Sequence, residues 1–194
     1  MQYSLFGAEA ADPLVQDLDG LLLAGGDWVR IEHDSAARLS VLVDQGWRAA
    51  ALQDEFRARG LASDTAEAPG GLIAVRSEFS ERLGSHAGRW TKGASRRPPA
   101  ELALSASGLR LWTIAAGRAD EAGFLLATDP DGALHRAAGG QLARLGVTAV
   151  DVGSRAGPGW RVTSAKRLRR LAELIGEPPP GCGPDWPAAD RRGE

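Results

Sequence analysis

The sequence predicts an α+β fold made of two tandem repeats, each with the element order αββαββα. Two observations predict the repeat. Leu18 and Leu109 lie 91 residues apart in similar apolar segments, and Val75-Arg76-Ser77 and Val162-Thr163-Ser164 end similar strand pairs 87 residues apart. A shorter first hairpin in the second half accounts for the difference of four residues. This element order is typical of antiparallel sheets that helices cover on one face.

Apolar periodicity and turn residues define the first repeat, residues 12–89. Asp12-Pro13 is typical of a helix start, and Gly25-Gly26 would end that helix. Alternating apolar and polar residues predict two strand pairs, separated by an amphipathic helix that ends at Gly60. Pro69-Gly70-Gly71 is the expected turn of the second pair. The predicted strands are Trp28–His33, Arg38–Val43, Leu61–Glu67 and Leu72–Arg76, and the later helices are Gly46–Arg59 and Phe79–Arg89.

The same order returns in the second repeat, residues 105–176, after a basic linker over 90–104. A weaker strand is expected before Phe124. Residues 1–11 are predicted to form a flexible N-terminal peptide, and residues 177–194, with five of the eleven prolines, a disordered tail. The predicted helices of this half are Leu109–Ala116, Leu134–Leu145 and Lys166–Ile175, and its strands are Phe124–Thr128, Val147–Val152 and Trp160–Thr163.

Composition excludes several protein classes. With 43% hydrophobic and 25% charged residues, the 194-residue chain can bury a core and is not disordered as a whole. Its single cysteine, Cys182, excludes a disulfide scaffold and a Cys-rich zinc site. We find no signal-peptide pattern and no apolar run near the ~20 residues of a membrane span. We therefore expect a cytoplasmic protein without a membrane partner.

Charge is unevenly distributed along the chain. The net charge of −2 gives no general argument for nucleic acid. Residues 1–34, however, hold seven acidic residues and one Arg, whereas residues 89–176 hold fourteen basic and seven acidic residues. Two interpretations remain open: a localised anion-binding face, or the solvated surface of an Arg-rich protein.

The two repeat-opening segments carry a family resemblance. They read Leu18-Asp19-Gly20-Leu21-Leu22-Leu23-Ala24-Gly25-Gly26 and Leu109-Arg110-Leu111-Trp112-Thr113-Ile114-Ala115-Ala116-Gly117. With the element order behind each, residues 13–176 resemble the LAGLIDADG homing endonucleases in their single-chain form. The resemblance implies that the two motif helices pack at a pseudo-twofold axis and that the sheets form a saddle on DNA. Gly20 and Ala24 form a small-residue ridge that allows close helix crossing, whereas Leu111 interrupts it in the second helix.

The catalytic residues of the family are missing. The resemblance implies an acidic metal ligand at the eighth motif position of each helix, and here these positions are Gly25 and Ala116. Because divalent cations need oxygen ligands, we expect a pseudo-nuclease without metal or other cofactor. A divergent metal-dependent nuclease that uses Asp27 and Asp120 is the alternative. The three histidines, His33, His86 and His135, lack metal-ligand spacing.

Strand alternation predicts a basic face on the sheets. One set of apolar residues would face the helices: Val29, Ile31, Leu39, Val41, Val43, Ile73, Val75 and Val162. The opposite face would then present Arg30, Arg38, Arg76 and Arg161, with Glu32 and Asp44 among them, and the linker adds Arg89, Lys92, Arg96 and Arg97. Arg side chains suit phosphate contacts and guanine recognition. We expect these eight residues to bind DNA.

The N-terminal peptide has a pattern of its own. Gln2-Tyr3-Ser4-Leu5-Phe6 is similar to the pentapeptide by which bacterial replication and repair proteins bind the sliding clamp. Leu5 and Phe6 would be the apolar anchors, and Gln2 and Ser4 would supply polar contacts. A hydrophobic terminus that docks on its own domain remains the other interpretation.

Together these patterns predict a non-catalytic duplex-DNA-binding protein. We expect a nucleoid-associated monomer with internal pseudo-twofold symmetry, recruited by the sliding clamp in replication or repair. Three alternatives remain: a transcription regulator, the divergent nuclease, and a protein-only adaptor whose Arg face meets an acidic partner. A bacterial sporulation regulator also has a degenerate LAGLIDADG domain, but joins it to a helix-turn-helix module for which we expect no room here.

Overall fold

The computed structural model describes residues 7–8, 11–31, 35–92, 95–129, 131–153 and 157–187. Two four-stranded antiparallel sheets and six helices form the fold. The helices are α1 (Asp19–Leu23), α2 (Gly46–Ala58), α3 (Glu81–Arg89), α4 (Ala106–Ala116), α5 (Gly132–Arg144) and α6 (Ala165–Ile175). The strands are β1 (Asp27–Arg30), β2 (Ala37–Val43), β3 (Ser63–Ala68), β4 (Leu72–Ser77), β5 (Thr91–Lys92), β6 (Ser95–Arg96), β7 (Gly117–Asp120), β8 (Gly123–Ala127), β9 (Val150–Val152) and β10 (Gly159–Val162).

The predicted repeat is confirmed. Each half contains helix, two strands, helix, two strands and helix, and its sheet has the first strand at one edge and the third at the other. The orders are β1-β2-β4-β3 and β7-β8-β10-β9. Within the described ranges, no helix is both long and apolar enough to cross a membrane.

Local signals explain most element boundaries. The side chains of Ser80, Ser105, Asp131 and Ser164 cap the N-termini of α3, α4, α5 and α6. The β3–β4 turn uses Gly70 and Gly71 at φ of +77° and +75°, a region that favours glycine. The predicted start of the first helix is wrong, because the first helical turn begins at Val15 rather than at Pro13, and α1 begins at Asp19. A 3₁₀ turn, Val15–Leu18, precedes α1, and Asp17 rather than Asp12 accepts the backbone N–H of Leu14.

Helices α1 and α4 lie at the centre of a core that both halves share. All five residues of α1 are buried, as are eight residues of α4. Their backbones touch at Gly20, where an added Cβ would lie 1.8 Å from the carbonyl oxygen of Gly108. The small residue of the second helix is therefore Gly108, so Leu111 does not obstruct the crossing.

A buried polar cluster joins the halves at the N-terminal ends of these helices. The Asp17 carboxylate accepts hydrogen bonds from Ser105 Oγ at 2.6 Å and from Arg59 Nη2 at 3.0 Å. Arg59 also pairs with Glu55 at 2.7 Å, and Glu55 accepts a bond from Arg110 Nε at 2.7 Å. Acidic and basic side chains alternate along the cluster, so each has a partner of opposite charge. Because buried ionic groups are costly without partners, these contacts fix the relative position of the repeats.

Two segments predicted to be irregular are packed on the fold. The linker contains the short β5–β6 ribbon, and Trp90 before it is fully buried and donates to Asp19 at 2.7 Å. The expectation of a disordered tail is wrong for residues 177–187. Trp186 is buried, donates a hydrogen bond to the Gly176 carbonyl at 3.2 Å and lies under the guanidinium of Arg110. This large apolar side chain anchors the proline-rich segment to the fold. The predicted clamp-binding residues Gln2, Ser4, Leu5 and Phe6 lie outside the described residues.

Candidate functional site

The C-terminal ends of α1 and α4 are the first candidate site. Gly25 and Gly26 follow α1, and Gly117 follows α4. The last carbonyl groups of a helix lack intrahelical partners and form the negative end of its dipole. Neither Gly25 nor Ala116, at the eighth motif positions, has a side-chain oxygen that could bind a cation there.

Arg48 binds the end of α4. Its Nη1 donates to the Ile114 carbonyl at 2.7 Å and its Nη2 to the Gly117 carbonyl at 2.6 Å. Asp44 Oδ1 lies 3.2 Å from Nε, and Asp185 Oδ2 lies 3.4 Å from Nη2. Burial lowers the pKa of Arg48, and both carboxylates act in the opposite direction. Since the ordinary pKa of arginine is so high, the buried guanidinium stays positively charged.

Arg96 holds the corresponding position at the end of α1. Its Nη1 donates to the Gly26 carbonyl, and its Nη2 pairs with the Asp129 carboxylate. Asp27 Oδ1 lies 3.8 Å from Nη1, and the backbone N–H of Asp129 donates to the Leu23 carbonyl at 3.2 Å. Arg96, predicted to bind DNA with the other basic linker residues, is therefore already paired with a carboxylate and with a carbonyl that follows the end of α1.

The two helix ends are related by the internal repeat. Asp44 comes shortly before α2 and Asp129 shortly before α5, the equivalent helices of the two halves. Each motif-helix end thus meets a guanidinium and a carboxylate, and at each end part of this pair comes from the other repeat. Within the described ranges, no group of three or more His, Cys, Asp or Glu residues could hold a metal ion. What the geometry provides at each end is a fixed organic cation that neutralises the helix dipole and the nearby carboxylate.

The alternative acidic pair, Asp27 and Asp120, does not share a symmetric position. Asp27 is the first residue of β1, beside the end of α1, whereas Asp120 is the last residue of β7. Three residues of extended strand, about 10 Å, separate Asp120 from Gly117 at the end of α4. Asp120 also accepts hydrogen bonds from Arg161 Nε at 3.1 Å and Nη2 at 2.5 Å.

The outer faces of the sheets are the second candidate site, and they contain three of the four predicted sheet arginines. Residues paired directly across an antiparallel ladder share a face. Arg76 pairs with Ser40, two residues from Arg38 on the face opposite the buried Leu39 and Val41. In the second sheet Arg161 pairs with Leu125, which also pairs with Arg118. Arg118 was missed, because β7 gave only a weak strand signal.

The predicted orientation of β1 is wrong. Trp28 pairs with Leu39 on the helix side and packs against the core, so its neighbour Val29 lies on the outer face opposite Arg38. Arg30 pairs with the buried Ala37 and therefore belongs to the helix side. Val29 and Ile31 are 39% and 43% exposed, which confirms that they do not face the core. The bulk of Trp28 decides the register of this edge strand. The other predicted inward residues are buried or pack against the core.

Charge on the outer faces is mixed. Arg76 pairs with Asp64 at 2.7 Å, Arg161 pairs with Asp120, and Arg38 lies 4.8 Å from the ring centre of Phe79. Leu42 and Val150 add exposed apolar surface to these faces. Of the predicted linker residues, Arg89 and Arg97 are exposed, and Lys92 is described only through its backbone in β5.

Solved structures share this architecture. Full-length DUF199/WhiA from Thermatoga maritima superposes with a TM-score of 0.59 at 15% identity, over 84% of this chain and 55% of that chain. The homing endonuclease I-WcaI bound to its DNA recognition sequence gives a TM-score of 0.58 at 10% identity, over 87% of this chain and 84% of that chain. The N-terminal LAGLIDADG domain of DUF199/WhiA gives a TM-score of 0.57 at 15% identity, over 84% of this chain and 82% of that chain. This chain has a LAGLIDADG-like fold.

The LAGLIDADG-like fold confirms the resemblance inferred from the two nonapeptides. At these identities the likeness establishes the fold alone. The chain spans about half the length of full-length WhiA. A comparison with protein-family models gives no match, and a comparison with curated protein sequences gives none either.

Proposed function

We propose that this LAGLIDADG-like protein binds duplex DNA on the outer faces of its two sheets and does not cleave it. The fold supports DNA binding, because I-WcaI, of the same architecture, is described as bound to its DNA recognition sequence. Outward-facing arginines on both sheets add the chemistry that phosphates require. DNA binding would place the protein on the nucleoid.

The arginines at the helix ends are the observation that carries the non-catalytic part of the proposal. Metal-dependent phosphodiester cleavage needs a divalent cation, held by oxygen ligands, beside the scissile phosphate. Here Arg96 and Arg48 supply the positive charge at the two helix ends, and both are bound to carbonyl and carboxylate oxygens. A metal ion at either end would have to displace a guanidinium that already binds these oxygens, and at α4 that guanidinium also caps the helix.

The DNA surface consists of the outer-face arginines and the exposed part of the linker. Arg76 and Arg161 would exchange a carboxylate partner for a phosphate, an exchange between two oxygen anions of similar geometry. Arg30 is not included, since it lies on the helix side. The proposed contact residues are Arg38, Arg76, Arg118, Arg161, Arg89 and Arg97.

Duplex binding as a function of salt tests the proposal. The sheet variant Arg38→Gln, Arg76→Gln, Arg118→Gln is compared with the control variant Arg57→Gln, Arg82→Gln, Arg136→Gln, which removes the same charge from exposed helix positions. The slope of log affinity against log salt should fall by about 3 in the sheet variant, since each phosphate contact contributes about 0.9. Equal losses in both variants, or no duplex binding at ~50 mM salt, would contradict it.

A protein-binding adaptor is the second candidate, and the apolar part of the same faces favours it. Leu42 and Val150 are 54% and 53% exposed, and Val29 lies on the outer face of the first sheet. Exposed apolar side chains are the usual anchors of protein interfaces. Retention of a protein partner after nuclease treatment, together with absent duplex binding, would favour this function.

Recruitment by the sliding clamp completes the proposal. It is supported by the sequence of residues 2–6, in which Leu5 and Phe6 are adjacent apolar anchors. The double variant Leu5→Ala, Phe6→Ala should lose clamp binding and keep its melting temperature and DNA affinity. Unfolding of the variant, or unchanged clamp binding, would refute recruitment through this peptide.

A further inference from the structure

The densest basic surface of the described chain lies on α6, not on the sheets. Lys166, Arg167, Arg169 and Arg170, here called the α6 basic cluster, fall within five residues. Leu171, Leu174 and Ile175 of the same helix are buried, and α6 packs against α4. The apolar stripe therefore faces the core, whereas Lys166 and Arg169 are exposed and Arg167 and Arg170 are half-buried.

The cluster lines a surface cavity of about 560 Å³. Gly146 and Thr148, which follow α5, and Glu173 complete the lining. The nearest acidic partner is Glu173, whose Oε2 lies 3.7 Å from Arg170 Nη1. Within the described residues, no carboxylate lies within 4.0 Å of Lys166, Arg167 or Arg169. This contrasts with Arg76, Arg96, Arg110 and Arg161, each of which is paired with an acid.

The fold does not require this charge. Helix α3 holds the same position in the first repeat, and its exposed charged residues are Glu81, Arg82 and Arg89. The same topology thus tolerates one acid and two bases where α6 has four bases and one acid. The larger excess of positive charge is a property of the second repeat.

We infer that the α6 basic cluster is a second phosphate-binding surface, which holds the backbone of a nucleic acid segment other than the one on the sheets. Lys166, Arg169 and Arg170 lie at helical spacings of three and four, so they share one face over about 6 Å. Forked guanidinium groups bind phosphate oxygens in pairs. A row of this length can contact successive phosphates of one strand.

The lining favours a phosphate backbone over other anions. It contains no aromatic or large apolar side chain. Protein partners bind mainly through such anchors, and nucleobases need a stacking surface, whereas phosphates require only charge and hydrogen-bond donors. An acidic protein or a free nucleotide is therefore a poorer fit.

The position of α6 makes the second segment separate from the first. Helices cover the inner faces of the sheets, and α4, on which α6 packs, contacts β7 and β8. The exposed side of α6 thus points away from the outer faces of the sheets. One straight duplex on those faces does not reach the cluster, so the protein would bridge two segments.

A sandwich capture experiment tests the bridge. Beads with a tethered duplex retain the protein, and a second, fluorescent duplex is then added. The α6 variant Lys166→Gln, Arg169→Gln, Arg170→Gln is compared with the control variant Arg57→Gln, Arg82→Gln, Arg136→Gln, which loses equal charge. The α6 variant should stay on the beads but capture about tenfold less fluorescent duplex, since each lost phosphate contact lowers the salt slope by about 1. Melting temperatures verify folding, and the single reversal Arg169→Glu, at an exposed position, is a second variant.

Each other outcome has a defined meaning. Capture that is unchanged in the α6 variant overturns the inference, and so does loss of the α6 variant from the beads, because the cluster would then be the primary DNA surface. Displacement of the second duplex by polyglutamate at equal charge would also overturn it. The inference rests on the proposed function for the first duplex only. Loss of the sheet variant from the beads supports that function, whereas failure of the wild-type protein to bind the beads contradicts the proposed function itself.

Discussion

The C-terminal ends of α1 and α4 hold equivalent positions in the two repeats but are built differently. Helix α1 has five residues and α4 has eleven. Arg48, at the end of α4, comes from a helix and has a 4% exposed side chain, whereas Arg96, at the end of α1, comes from a short ribbon and has a 20% exposed side chain. The cationic group is the same at both ends although the supporting segments are unrelated. The comparison indicates that the two ends require positive charge, rather than a particular local structure.

The largest effect is expected at the contact between the two helices. Gly20→Ala would place a Cβ 1.8 Å from the Gly108 carbonyl oxygen, so the backbones would have to separate. The free energy of unfolding should fall by more than about 4 kcal/mol, because a shift of this contact disturbs the shared core. Urea titration measures the change. Gly140→Ala in α5 is the matched control, since nothing lies within 4 Å of its Cβ position and alanine favours a helix. A stable Gly20→Ala variant would mean that the helices do not cross here.

Arg48→Gln should give the next largest loss. The substitution leaves the last α4 carbonyls and two carboxylates without their buried cation. We therefore expect the free energy of unfolding to fall by about 3 kcal/mol. Arg96→Gln should cost about 1 kcal/mol, because this side chain is more exposed and its partners can bind water. Equal effects of the two substitutions would show that the ends do not differ as described.

The sequence predicted the repeat well because its signals are local. Apolar spacing, Pro69-Gly70-Gly71 and the glycines that follow every helix except α3 mark elements that the structure contains. The helix-end cations could not be predicted, since Arg48 and Arg96 are far in sequence from the carbonyls they bind. The orientation of β1 failed for a similar reason. Alternation permits either face, and only the packing of Trp28 on the core decides between them.

The smallest effect concerns the N-termini of the equivalent helices α2 and α5. Asp131 caps α5, and the backbone N–H groups of Ala133 and Leu134 lower the pKa of its carboxyl, whereas Gln45 makes no side-chain cap on α2. Because the pKa of Asp131 is lower in the folded state, its ionised carboxylate stabilises the fold at pH values above the pKa of Asp in the unfolded chain. This stabilisation is lost as the pH falls through the pKa of Asp131 in the folded state. Asp131→Ala should therefore lower the melting temperature slightly at neutral pH, with no difference in acid.

The variant Asp131→Asn is the control for this prediction. The Asn side-chain oxygen can still accept the capping hydrogen bonds, but the amide does not titrate. The stability of this variant should therefore be near that of the wild type at neutral pH. Its stability should also depend less on pH. An Asp131→Ala variant whose deficit persists unchanged into acid would show that the carboxylate charge has no part in the cap.

Cleavage of supercoiled plasmid tests the central claim most directly, namely that arginines replace metal ions at the two helix ends. The purified protein is incubated with plasmid in Mg²⁺, in Mn²⁺ and in EDTA, and DNA binding is measured under the same conditions. We predict intact plasmid throughout and equal duplex affinity with metal or EDTA, because Arg96 and Arg48 already supply the charge. Metal-dependent nicking that Asp129→Asn or Asp27→Asn abolishes, while duplex binding persists, would contradict the claim.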